Sequence, residues 1–223
     1  MERWCRLVSV LMLLAASSAC VKPAEYGLFR EHMPRSILVL PPRNNSIEVN
    51  ASYVYLSTVT EPLAEMGYYV FPVAVVDAFM KDNGLPTPYE MHSVSHEKLR
   101  EVFNADAVLY LEIEEWGQKY QILNSSTVVE VEARLVDLVS GEELWRETIR
   151  ASENSSSAAG GRNALLAMVI SAAVEQVIDS SSSRIVYLAR DANARFFRSA
   201  NKGLLFGPRH PDFESDTRGR ESH

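Results

Sequence analysis

Between Thr127 and Leu138 the chain alternates with period two. Val129, Val131, Ala133 and Leu135 are separated by Glu130, Glu132 and Arg134. Successive side chains of a strand point to opposite faces, so this stretch reads as a strand with one buried and one wet face. Ser140-Gly141 follows as a tight turn, and "EELWRETIR" (142–150) returns as the partner strand. An antiparallel hairpin near the carboxy-terminal end is therefore the feature any fold of this chain must accommodate.

The segments upstream have a different rhythm. "SILVLP" (36–41) is a short apolar, β-branched run stopped by Pro41-Pro42, and predicts a buried strand followed by the loop "PPRNNS". Helical spacing runs from Ala51 to Met66 through Val59 and Leu63, with Pro62 set to kink that helix or restart it. Gly67 closes it, and "YYVF" (68–71) predicts the next strand. A helix is expected over 73–83 with Val75, Val76, Phe79 and Met80 inward, ending at Asn83-Gly84. "LPTPYE" (85–90) reads as a loop. Ser95 caps a short helix carrying Leu99, Val102 and Phe103, and "AVLYLEI" (107–113) is a strand. "KYQIL" (119–123) reads as a separate strand. Beyond the loop "ENSSSAAGG" (153–161), a wide apolar stripe from Leu165 to Ile178 predicts a packing helix. A further helix is expected from Arg184 to Phe197.

The order β-α-β-α-α-β, an antiparallel meander, then helix implies an α/β fold with a single mixed sheet and packed helices. Residues 36–207 form the expected single α/β domain, and the mixed-charge stretch 208–223 reads as a disordered tail.

The first residues set the compartment. Arg3 and Arg6 precede a ten-residue apolar run, Leu7 to Ala16, and small residues follow it. That is the layout of a secretory signal, and the run is too short for a membrane span, which needs roughly 18–20 apolar residues. In "Ser17-Ser18-Ala19-Cys20" the general signal peptidase and the lipoprotein route would cut the same bond, before Cys20. Ser17 stands where a lipobox usually has leucine. Cys5 leaves with residues 1–19, so Cys20 is the only cysteine of the mature chain and can form no internal disulfide. Lipidation explains its position. A covalent diacylglycerol and N-acyl lipid on Cys20 would anchor the chain, residues 20–35 would be a lipidated tether, and Val21 rather than aspartate after the cysteine points to the outer membrane.

Net charge is −7 with a sequence pI near 5.3, which argues against a nucleic-acid partner because phosphate binding needs a basic face. No catalytic residue, cofactor site or metal site is assigned. His92 and His96 stand four apart, a spacing that binds zinc on a helix, but Ser95 is the better cap and leaves His92 outside it. Gly160-Gly161-Arg162 lacks the Walker lysine and the Rossmann spacing. The pairs Glu112/Glu114 and Glu130/Glu132 alternate with apolar residues and fit a solvated sheet face. Trp116, Tyr120 and Trp145 are expected core fillers, with Tyr89 beside a loop.

"RSILVLPPRNNS", "YLSTVTEPLAEMGYYVFPVAVV", "ADAVLYLEI" and "ARLVDLVSGEELW" resemble a family of bacterial outer-membrane lipoproteins of unknown function, related to a Neisserial surface-antigen candidate lipoprotein. The strands and hairpin are more distantly similar to the TolB amino-terminal domain, the curli-secretion lipoprotein and the peptidoglycan-synthase-activating lipoproteins. The resemblance implies a TolB-amino-terminal-domain-like fold. It also implies a non-enzymatic envelope protein, held at the outer membrane and facing the periplasm, within a transport or secretion assembly. Expected partners are outer-membrane lipid and other envelope lipoproteins, including a curli-secretion-like pore former. A regulator docking on a peptidoglycan synthase is the alternative, and a small metal-binding envelope protein or hydrolase using His92 and His96 is a third.

Overall fold

The computed structural model describes residues 26–120, 125–154 and 180–216. In chain order the elements are α1 (Gly27–Glu31), β1 (Ser36–Val39), β2 (Arg43–Asn44), α2 (Ala51–Glu65), β3 (Tyr69–Val70), α3 (Val73–Asp82), α4 (Pro88–Met91), α5 (His96–Phe103), β4 (Ala107–Tyr120), β5 (Ser125–Asp137), β6 (Glu143–Asn154) and α6 (Ser180–Phe197). One mixed sheet runs in the order β3-β1-β4-β5-β6, with β2 also paired to β4. β1, β2, β3 and β4 pair in parallel, and β4, β5 and β6 form the antiparallel meander.

Alternate residues of β1 serve two cores, as expected for a strand buried on both faces. Ile37 and Val39 pack with α2, α6 and the apolar residues of β5, Val129 to Leu135. Leu38 and Leu40 pack with Val76 and Met80 of α3, Met91 of α4, Leu99 of α5 and Val108 of β4. The second helical layer covers β1 and the start of β4, and leaves the charged faces of β5 and β6 open. On that open face Arg150 pairs with Glu130, and Arg146 pairs with Glu132 and Glu143. The glutamates on the sheet are therefore a solvated ion-pair face.

Several sequence expectations change. "AVLYLEI" and the beginning of "KYQIL" belong to one strand of 14 residues, β4. Its register shifts between Ile113 and Glu115, so Glu114 is the extra residue of a bulge. The bulge moves the buried phase from odd to even positions, and Trp116 joins Ile113 in the same core. The helix α2 runs unbroken through Pro62, which is buried within it. The loop 85–90 contains the one-turn helix α4, closed by a Thr87/Glu90 capping box. On α3 only Val76 and Met80 turn inward, while Val75 is 65% and Phe79 42% exposed. The second core is narrow there, and Phe79 lies against Phe103 at its rim.

The domain is also longer at both ends than 36–207. Phe29 of α1 is fully buried, and the Tyr26 hydroxyl donates to the Gly203 carbonyl (2.7 Å). Residues 26–35 are thus part of the domain rather than of a tether. After α6 the chain folds back: Gly207 N donates to Met66 O, Arg209 N to Gly67 O, and the Tyr68 hydroxyl to Leu205 O. Asp216 is buried and accepts from Phe206 N (3.0 Å) while facing Arg30, so residues 208–216 are packed structure rather than tail. Gly67 is required at that seam. Its φ is +90°, and a Cβ there would lie 2.4 Å from His210 N. The signal segment 1–19, Cys20, the linker to residue 25, the loop 155–161 with Gly160-Gly161-Arg162, the stripe Leu165–Ile178 and residues 217–223 lie outside the described residues.

Candidate functional site

The two histidines lie beside the open face, in separate elements. His92 caps the end of α4, and Ser95 caps α5 by accepting from Lys98 N. Both rings rest against Tyr110, at 5.1 Å and 6.1 Å between centroids. His92 Nε2 is 2.9 Å from the Pro41 carbonyl, which makes that nitrogen the donor. Burial, reinforced by the nearby Arg43 and Arg134, pushes the His92 pKa down to about 4, against the smaller opposing effects of Pro41 and Glu112. Among the described residues, no group of three or more histidines, cysteines or carboxylates is arranged to hold a metal ion.

What the structure assembles around Tyr110 is instead a cleft between two arginines. Arg43, His92, Tyr110, Glu112, Glu132 and Arg134 line it. Pairing of β2 with β4 sets Arg43 opposite Glu112, and pairing of β4 with β5 sets Tyr110 opposite Arg134 and Glu112 opposite Glu132. The Arg134 guanidinium lies over the Tyr110 ring at 4.8 Å, and that of Arg43 over Tyr89 at 5.5 Å. The carboxylates nearby are engaged elsewhere. Glu112 accepts from Asn45 Nδ2 (3.0 Å), and Glu132 from Arg146. Sequence reasoning missed this cleft because Arg43, His92 and Arg134 are far apart in the chain. Only the loop "PPRNNS", following the first strand, gave a positional signal.

A second feature adjoins it. The turn after β2 is held by Asn44, whose Oδ1 accepts from Ser46 N and Oγ and whose Nδ2 donates to Glu48 O. This fixed turn presents Ile47 at 94% and Val49 at 87% exposure. Ile47 borders a shallow groove lined by Trp116, Gly117 and Val128. Trp116 itself is core, edge-on to Tyr55 at 6.1 Å, and Trp145 is buried against Phe196 and Phe197. Tyr89 is half-exposed, and the side chain of Tyr120 is not described.

Cys20, the residue assigned to lipid attachment from the sequence, lies outside the described residues. Among those that are described, no helix is long and apolar enough to cross a membrane.

Comparison with known proteins agrees with the resemblance read from the sequence. A Neisseria meningitidis serogroup B protein described as "Putative lipoprotein NMB1124/NMB1162" is 40% identical over 206 residues, 91% of this chain and 94% of that one. The crystal structure of lipoprotein GNA1162 from Neisseria meningitidis superposes with a TM-score of 0.53 at 45% identity, covering 66% of this chain and all of the other. A PelC dodecamer from Paraburkholderia phytofirmans is more distant, with a TM-score of 0.43 and 17% identity over 72% of this chain and 85% of that one. The family model described as "Putative lipoprotein GNA1162-like" matches residues 24–209, so the chain belongs to the GNA1162-like lipoprotein family.

Proposed function

We propose that this protein is a non-enzymatic, lipid-anchored component of an outer-membrane transport or secretion assembly, facing the periplasm. Family membership carries the reading, because the match to a lipoprotein family spans residues 24–209 and so nearly all of the folded domain. Cys20 is the proposed attachment point. Cys20 lies six residue steps before Tyr26, the first described residue of the domain, a reach of at most about 20 Å were the link fully extended. Such a short link would hold the domain close to the bilayer and favour partners anchored to the same leaflet. The immobilised apolar turn at Ile47 and Val49 supports a docking role, since large side chains held fully in water on a fixed turn suit a partner's surface.

The experiment is affinity capture of the full protein from detergent-solubilised envelopes, comparing the wild type with an Ile47→Ser/Val49→Ser variant. Recovery of other envelope lipoproteins or a pore former with the wild type, reduced in the variant, supports the reading. Recovery of a peptidoglycan synthase would favour a regulatory role instead.

A further inference from the structure

The structure assigns a second binding function to the cleft at Tyr110: we propose that Arg43 and Arg134 together grip a single carboxylate group brought by a ligand. This goes beyond the docking role above and does not depend on the lipid anchor.

Two independent observations meet in this cleft. Arg43 has an acidic cross-strand neighbour, Glu112, yet the Glu112 carboxylate is taken by Asn45. Among the described residues nothing accepts a hydrogen bond from the Arg43 guanidinium, and its Nε is shut off from solvent without a partner. The buried Nε is out of a ligand's reach, so the donors Arg43 offers to the cleft are its terminal guanidinium N–H groups, which have no acceptor among the described residues. Arg134, over the Tyr110 ring, is partly exposed rather than sequestered, and it too is only weakly engaged. Its ion pair with Glu143 is loose at 3.9 Å, because Arg146 holds Glu143 through two hydrogen bonds of 2.9 Å and 2.7 Å. The register also places Arg134 directly opposite Arg146, so the like charges of the pair are relieved by an incoming anion.

The kind of anion follows from what else lines the cleft. Two guanidiniums match the two oxygens of a planar carboxylate. Glu112 and Glu132 stand at the same walls, and a doubly charged phosphate would meet both of them. The cleft is also small, about 50 Å³, which suits a planar carboxylate better than a tetrahedral phosphate. His92, kept neutral by its burial, adds no competing charge and packs against Tyr110.

The test is an NMR titration of the full mature protein in detergent micelles, following the Arg43 and Arg134 Nε–H signals. The probes are acetate, a blocked tripeptide with a central glutamate, inorganic phosphate, and chloride at matched ionic strength. The proposal predicts saturable shifts at both arginines with a carboxylate probe, half-complete at a concentration at least tenfold below that for chloride or phosphate. Arg43→Gln and Arg134→Gln should each weaken the binding at least tenfold, while Arg134→Lys, which keeps the charge, should retain part of it. Tighter binding of acetate than of the tripeptide identifies a free small acid as the ligand, and the reverse identifies a carboxylate carried on a chain. Shifts that are equal in chloride, stronger in phosphate, or unchanged in the glutamine variants overturn the proposal.

Discussion

The side-chain amide of Asn193, on α6, accepts a 2.7 Å hydrogen bond from the Tyr55 hydroxyl on α2, and both residues are fully buried. Asn193 Nδ2 in turn donates to Thr58 Oγ1 (3.0 Å), and that hydroxyl donates to the Tyr55 carbonyl (2.7 Å). The three residues close a polar ring at the contact of the two helices that cover one face of the sheet. Burial pushes the Tyr55 hydroxyl well above the usual tyrosine range, so it remains a donor at every physiological pH.

Breaking this ring from either side strands a buried group. Asn193→Ala leaves the Tyr55 hydroxyl without its acceptor, and Tyr55→Phe leaves the amide oxygen of Asn193 without its donor. Each is expected to cost about 1–3 kcal/mol. Urea unfolding of the two single variants and the double variant checks this, with the double variant losing less than the sum.

The carboxy-terminal seam gives a second prediction. Removing residues 208–223 should lower the unfolding temperature clearly, because Asp216, with its contacts to Phe206 and Arg30, and the Arg209 N–Gly67 O bond leave with them. Gly67→Ala should be destabilising by more than about 1 kcal/mol, since it combines a positive φ with a clash against His210. A thermal melt of the truncated chain that matches the full chain would show that the segment contributes nothing.

His92 makes stability pH-dependent in the acid range. Its pKa falls from 6.5 to about 4 on folding, with Arg43 on β2, Tyr110 and Glu112 on β4, Arg134 on β5 and His96 on α5 around it. The unfolded chain therefore binds the proton first. The stability contributed by neutral His92 is complete above about pH 6.5 and declines as pH falls toward 4. His92→Gln keeps a donor for the Pro41 carbonyl but does not titrate. Its unfolding temperature should drop less than that of the wild type between those pH values, and parallel curves would contradict the assignment.

Much of the fold was legible because period and punctuation decide it. The alternation at Val129–Leu135, the turn at Ser140-Gly141 and the Ser95 cap each follow from a local rule, and each is found in place. What failed was non-local. The strand read from 107 stopped at Ile113, and Glu114 passed for one more alternating residue, because its bulge makes sense only once Trp116 is seen to share a core with Tyr55. Tyr26, Phe29 and Asp216 read as flanking sequence because their partners, Gly203, the main core and Phe206, are remote in the chain. The arginine cleft was hidden for the same reason. Strand pairing, not spacing, brings Arg43 and Arg134 to either side of Tyr110.

The central claim is that Cys20 carries the lipid that holds this domain at the membrane. Cells expressing the full chain are grown with radiolabelled palmitate, and the wild type is compared with Cys20→Ser. The account predicts label in the wild type and in the membrane fraction, with both lost in the variant. Equal labelling of the two proteins, or no label in either, would contradict it.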